Sequence, residues 1–174
     1  MKNDVIKPIA VLVCICLVVT AMLAYINSVT APIIKAADEK AAAQARTEVL
    51  PKANGFKLMN LKKLPECVEG VYEAKNGAGY VFMLKVKGYG GDMYLICGIN
   101  SDGTIEQSKT LTHSETSGLG SKTAEDPYRK QYSGKTEKTL GEVDAISGAT
   151  ISSTAYKKAI TDAFKAYDMI KEAE

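Results

Sequence analysis

Apolar and polar positions divide the chain into three stretches of different character. Residues 9–26, IAVLVCICLVVTAMLAYI, are apolar without interruption; only Thr20 and the Tyr25 hydroxyl are polar, and no charge occurs. Such a run meets the length of a spanning helix, in which every backbone polar group is paired within the segment. It predicts a transmembrane helix over 9–30, preceded by a short segment 1–8. A cleaved signal peptide is the alternative, since Lys2 and Lys7 form a basic start, but the run exceeds a usual signal core and no A-x-A site follows. Neither Cys14 nor Cys16 follows the small residue of a lipidation box, so both read as helix surface. The second stretch, 31–50, is APIIKAADEKAAAQARTEVL, rich in strong helix formers with Pro32 at a tolerated early position. It predicts a juxtamembrane helix and spacer, 31–51, ended by Pro51, Asn54 and Gly55.

The third stretch carries short apolar and aromatic runs cut by turn residues. Residues 69–75, 80–86, 93–99 and 104–111 read as antiparallel strands, separated by Asn76-Gly77-Ala78-Gly79, Gly88-Tyr89-Gly90-Gly91 and Asn100-Ser101-Asp102-Gly103. Residues 112–123 then read as a loop, 125–132 as a short helix with Pro127 in its first turn, and 136–146 as extended chain. From about 152 to 171, Ala155, Ala159, Ala163, Phe164, Tyr167 and Ile170 fall at helical spacing. The expected fold is α+β: an N-terminal transmembrane helix, then an antiparallel-sheet domain over 52–174 closed by a C-terminal amphipathic helix.

Composition narrows the chemistry. With 22 Lys+Arg against 20 Asp+Glu, the formal charge of +2 lacks the basic excess that phosphate neutralisation requires, so nucleic acid is not an expected partner. One His in 174 residues excludes multi-His metal sites and histidine relays. No GxSxG elbow, HExxH helix, Walker A loop or CxxC pair occurs, and neither a metal site nor a catalytic residue is expected. The positive-inside count is nearly tied, Lys2 and Lys7 against Lys35, Lys40 and Arg46; the closeness of Lys7 to the apolar core leans toward a cytoplasmic N-terminus. Membrane lipid is the expected surrounding of residues 9–30.

One short motif stands apart. Asp144-Ala145-Ile146-Ser147-Gly148-Ala149-Thr150 precedes the last helix. Small residues there let a ligand approach the backbone, and the first-turn N–H groups and helix dipole favour an anion such as phosphate, with the Thr150 hydroxyl at the same spot. An ordinary N-cap is the competing reading, because Asp, Ser and Thr are common before helices.

D-x-x-S-G-A-T before a C-terminal helix resembles the flavinylation motif of FMN-binding domains, a family that includes the G subunit of the Rnf complex and the C subunit of the sodium-pumping NADH:quinone reductase. His113-Ser114-Glu115-Thr116-Ser117-Gly118-Leu119-Gly120 resembles the family's E-T-P-G-L-G loop, with Ser117 in place of Pro, and Gly88-Tyr89-Gly90-Gly91 resembles its G-Y-x-G. The Rnf protein is the nearer match. The resemblance implies FMN esterified through its phosphate to Thr150. Asp144, Ser147, Gly148 and Ala149 would shape the attachment loop, and Glu115, Thr116, Gly118 and Leu119 would line the ring. His113 is open between flavin contact and surface loop. Tyr89 is expected on a sheet face, with ring stacking as its alternative. The resemblance further implies a redox subunit, inactive alone, that carries electrons in an ion-translocating ferredoxin:NAD⁺ oxidoreductase. Its partners would be the other Rnf subunits, membrane-embedded redox subunits among them, and a flavin transferase during maturation. The flavin domain would lie outside the cytoplasm, where Cys67 and Cys97 could pair or stay reduced. Two other readings are a free-standing membrane-anchored flavoprotein for extracellular electron transfer and a non-redox membrane-tethered binding or assembly module.

Overall fold

The computed structural model describes residues 2–61 and 63–173; Met1, Lys62 and Glu174, which fall in the expected segments 1–8 and 52–174, lie outside them. The chain separates into two compact units, Met1–Ala41 and Ala42–Glu174. Helix α1 spans Lys2–Val49 without a break, so the apolar run and the predicted spacer are one helix, and Pro32 lies inside it instead of opening a new one. Good helix formers on both sides of Pro32 carry the helix past the one backbone hydrogen bond that proline removes. Side chains from 6 to 41 are exposed all round, and the helix is long and apolar enough to cross a membrane. An apolar surface of that extent favours lipid over water.

The second unit is built on a five-stranded antiparallel meander: β1 (Phe56–Met59), β2 (Val68–Ala74), β3 (Gly79–Lys87), β4 (Asp92–Asn100) and β5 (Ile105–Thr112), in that spatial order. Strand alternation sends Tyr80, Phe82, Leu84 and Val86 of β3 to one face and Val81 to the other. Phe82 pairs with Cys97 and Leu84 with Leu95 in register, so the first face is apolar across neighbouring strands. Helix α3 (Thr150–Ala173) covers that face with Tyr156, Ala159, Ile160, Ala163 and Phe164, all buried. The opposite face receives Ala45, Val49 and Leu50 from the end of α1 and the residue after it. Gly98 of β4 makes this possible, because a Cβ there would lie 2.9 Å from the Val49 carbonyl carbon. Arg46 stacks over Tyr72 at 4.2 Å, and Lys109 pairs with Glu48. Burying each large apolar side chain of this two-sided core contributes about 1.5–3 kcal/mol.

Between β5 and α3 lie a 3₁₀ turn, Gly120–Ala124, the short helix α2 (Asp126–Arg129), and a second turn ending at Tyr132. Residues expected to be extended over 136–146 instead form a 3₁₀ helix, Glu137–Glu142. The Thr136 N–H donates to Thr139 Oγ1 at 2.9 Å, closing a capping box that starts this helix, and Leu140 and Val143 are buried. Tyr128, Tyr132 and Tyr156 cluster with ring centroids 5.1–5.6 Å apart. Their hydroxyls are all paired: the Tyr128 and Tyr132 oxygens lie 3.0 Å apart, Tyr128 donates to the Ser153 carbonyl at 3.2 Å, and Tyr156 donates to Ser108 Oγ at 2.8 Å. This cluster braces the first turn of α3 from beneath. Cys67 and Cys97 are buried free thiols. Burial first, then the neighbouring Asp162, pushes the Cys67 thiol up to about 11, and burial raises that of Cys97, so both are neutral at physiological pH.

Candidate functional site

Thr150 is the first residue of α3, two positions earlier than the apolar pattern alone places the helix start. The preceding residue is Ala149, which has no side-chain oxygen to offer. Among the described residues no acceptor meets the backbone N–H of Thr150, Ile151 or Ser152; the Ser153 N–H bonds Ala149 O at 2.9 Å. The hydroxyl of Ser153 faces back out of the helix and accepts the Ile146 N–H at 3.0 Å. The motif's small polar residues therefore shape the approach to the helix and leave its first N–H groups uncapped, which disfavours the N-cap reading. Gly148 turns the chain into the helix at φ +79°, a conformation that strains any residue with a Cβ. Thr150 itself is exposed.

A second element meets this turn. The Glu115 side chain reaches in from the loop after β5, and its residue is only 8% exposed. One carboxylate oxygen accepts the Gly90 N–H at 3.1 Å; the other accepts the Ser152 hydroxyl. Gly120 lies against both partners, and a Cβ there would be 2.5 Å from Glu115 Oε2 and 2.6 Å from Ser152 Oγ. Three segments remote in sequence, the β3–β4 turn, the 113–120 loop and the start of α3, are thus clasped by one carboxylate. Between them opens a groove of about 470 Å³ with Thr150 on its wall. Its rim is apolar and open: Tyr89 is 68% exposed, Ile151 57% and Leu119 46%. On the other side of Thr150 and Ile151 lies a second cavity of about 530 Å³. Lys85, Lys87 and Lys158 line it, with Lys85 paired to Asp92 at 3.1 Å and Lys158 to Glu66 at 2.8 Å.

Of the residues singled out from sequence, Thr150, Gly148, Ala149, Glu115, Thr116 and Leu119 come together on the groove. Asp144, Ser147 and Gly118 sit outside its lining. The Asp144 N–H donates to the Gln131 side chain at 3.1 Å, Ser147 is exposed in the turn before Gly148, and the Gly118 N–H donates to Ser121 Oγ at 2.9 Å. His113 is half-buried, and its Nδ1 accepts the Glu115 N–H at 3.2 Å, which places it behind the loop. Tyr89 lies in the 88–91 turn and not on a sheet face; the flanking glycines end β3 before it, and its ring stands at the groove mouth. Sequence reading gave no role to the Ser152 hydroxyl, the Ile151 side chain or the close packing at Gly120. Ser152, a polar residue on the buried side of an amphipathic helix, carried the one available signal.

The profile of the FMN-binding domain matches residues 88–165, which span the groove from the Tyr89 turn into α3. A protein of Methanosarcina acetivorans, named as the G subunit of an ion-translocating oxidoreductase complex, is 32% identical over 176 residues, covering 93% of this chain and 94% of the relative. The chain belongs to this G-subunit family. Another member, from the Na⁺-translocating ferredoxin:NAD⁺ oxidoreductase complex of Acetobacterium woodii, is 30% identical over 182 residues, covering 89% of this chain and 87% of its own. The proton-translocating counterpart from Clostridium ljungdahlii is 26% identical over 160 residues, covering 85% and 83%. The groove suits the cofactor for which the family's domain is named. Among the described residues the N–H groups of Thr150, Ile151 and Ser152 have no acceptor, the groove has an apolar rim of Tyr89, Leu119 and Ile151, and the exposed Thr150 lines it, features that fit an anionic group and a flat ring.

Proposed function

We propose that this chain is the electron-carrier subunit of a membrane-bound ion-translocating ferredoxin:NAD⁺ oxidoreductase (Rnf) complex, with FMN attached covalently through its phosphate to Thr150. The observation that carries the reading is an exposed hydroxyl on the first residue of an uncapped 24-residue helix, at the edge of a groove with an apolar rim. Attachment joins Thr150 Oγ to the phosphorus of an activated flavin nucleotide. The phosphorus–oxygen bond to the leaving group breaks, and that group departs with the hydroxyl proton. A flavin transferase supplies the catalysis. The product keeps one negative charge, stabilised by the N–H groups of Thr150, Ile151 and Ser152 and by the dipole of α3.

When bound, FMN supplies the redox chemistry. The chain's own residues would hold and orient it: Gly148 and Ala149 would allow close approach to the helix start, and Tyr89, Leu119 and Ile151, on the rim of the groove, would flank the ring. Thr116 borders the groove beside Glu115. Asp144 and Ser147, outside the lining, shape the attachment turn for the transferase, and Gly118 sets the loop conformation. The subunit does not turn over alone; its electrons pass to and from other subunits of the complex, including membrane-embedded ones. Residues 1–8 lie in the cytoplasm, 9–30 span the lipid, 31–51 lead out with their last turns packed into the flavin domain, and the rest of that domain, 52–174, lies outside the cytoplasm. A covalent bond suits that location, since a cofactor lost there has no pool to be replaced from.

The test is the intact mass and in-gel flavin fluorescence of fully denatured wild type and Thr150→Val, both produced with a flavin transferase. An adduct of FMN less one water on wild type alone is expected. A wild type without adduct, under conditions that load another family member, overturns the proposal.

A further inference from the structure

We infer that the Glu115 carboxylate holds down the reduction potential of the flavin in this groove, an inference that rests on the flavin reading above. Among the described residues that line the groove, Glu115 is the only charged one. It is almost fully buried, and no cation pairs with it among the described residues. Its partners are a hydroxyl and a backbone N–H, which satisfy the oxygens without cancelling the charge. Positive charge near Thr150 lies in the other cavity, where Lys85 and Lys158 are tied to Asp92 and Glu66 and Lys87 has no ion pair among the described residues. His113 turns its Nδ1 to the Glu115 backbone and not to the carboxylate.

A buried charge acts through a low effective dielectric, so its field on a neighbouring ring is far less screened than a surface charge's would be. On reduction by its redox partner, a flavin held here would take up two electrons from that partner and protons from solvent, and any negative charge left on it would meet the carboxylate. The oxidised form is thereby favoured. Ser152 moderates the effect, because its donated hydrogen bond stabilises the carboxylate charge and spreads part of it. Two substitutions at one contact therefore have opposite expected signs. Glu115→Gln removes the charge with little change of shape; Ser152→Ala keeps the charge and removes its donor.

The experiment uses the full chain, flavinylated in a host with the transferase and purified in detergent, with intact mass to establish the adduct and a dye-referenced redox titration followed by flavin absorbance. Glu115→Gln is expected to move the oxidised–reduced equilibrium at least tenfold toward reduction, about 30 mV upward for a two-electron couple. Glu115→Asp, which keeps the charge, is expected to stay within threefold of wild type, and Ser152→Ala is expected to shift downward. A flavin-bearing Glu115→Gln with unchanged or lower potential overturns the inference and leaves the Thr150 reading intact. If Glu115→Gln yields no flavin-bearing protein, Ser152→Ala decides: an unchanged or raised potential overturns the inference. A wild type without adduct overturns the Thr150 reading instead.

Discussion

Gly120 offers a quantitative test of the clasp at the groove. Its φ lies outside the left-handed region, so replacement by alanine brings steric cost alone. The new Cβ would sit 2.5 Å from Glu115 Oε2 and 2.6 Å from Ser152 Oγ, distances no relaxed structure keeps, and 3.0 Å from Glu115 Cβ, itself a tight contact. Either the carboxylate leaves Ser152, or the turn Gly120–Ala124 shifts off α3. Losing a hydrogen bond to a charged group costs about 1.5–3 kcal/mol. Overpacking costs about 1–3 kcal/mol. Since one movement relieves part of the other, a net loss of about 3 kcal/mol is expected, or roughly 10 °C in Tm for a domain of this size. Gly141→Ala is the matched control: nothing lies within 4 Å of its would-be Cβ and its φ is unexceptional, so it should be neutral or stabilising by about 0.4–1 kcal/mol. Thermal melting of the full chain in detergent, followed by near-ultraviolet circular dichroism of the tyrosine cluster, reads both. Equal Tm values for the two variants would refute the steric reasoning and, with it, the tight packing of Glu115 against Ser152.

The uncapped helix start and the buried Asp162 give two more expected outcomes. Ala149→Ser places a hydroxyl at the start of α3; the apo protein should gain about 0.5–2 kcal/mol by thermal melting, while flavin loading by the transferase slows, since the hydroxyl competes for the N–H groups a phosphate needs. Asp162 sets an acid limb: burial works to raise its pKa, but hydrogen bonds from Lys165 and from Cys67 outweigh it and hold the carboxyl below its ordinary 3.8. A depressed folded value means that this stability is present above pH 4 and lost as pH falls through it, so wild-type Tm should drop more steeply between pH 5 and 3 than that of Asp162→Asn.

The strands from β2 to β5 are legible in the sequence because apolar alternation and turn glycines mark both their faces and their ends. β1 is not, since Phe56-Lys57-Leu58-Met59 is four residues long, has no β-branched member and lies at a sheet edge. The 137–142 helix reads as extended because its capping box pairs two threonines, Thr136 and Thr139, outside the usual Ser/Thr-to-Glu/Gln signature. Thr150 stands out because its signal is local: small residues, a turn glycine and a helix start within seven positions. The Glu115–Ser152 contact joins residues 37 apart and exists only once the sheet and α3 have packed. Tyr89 misleads because an aromatic beside a strand has sheet propensity, whereas its flanking glycines decide for a turn.

The end of α1 has a practical consequence. Ala45 and Val49 belong to the core of the second unit, seated where Gly98 leaves the sheet bare. A water-soluble fragment trimmed to residue 52 would uncover Ala74, Val81 and Ile96 and invite self-association through that face. The useful cut lies ahead of Ala42, where the compact unit begins. In biosynthesis the same arrangement imposes an order: the last turns of α1 leave the ribosome first and wait, uncovered, until β3 and β4 have been made to receive them.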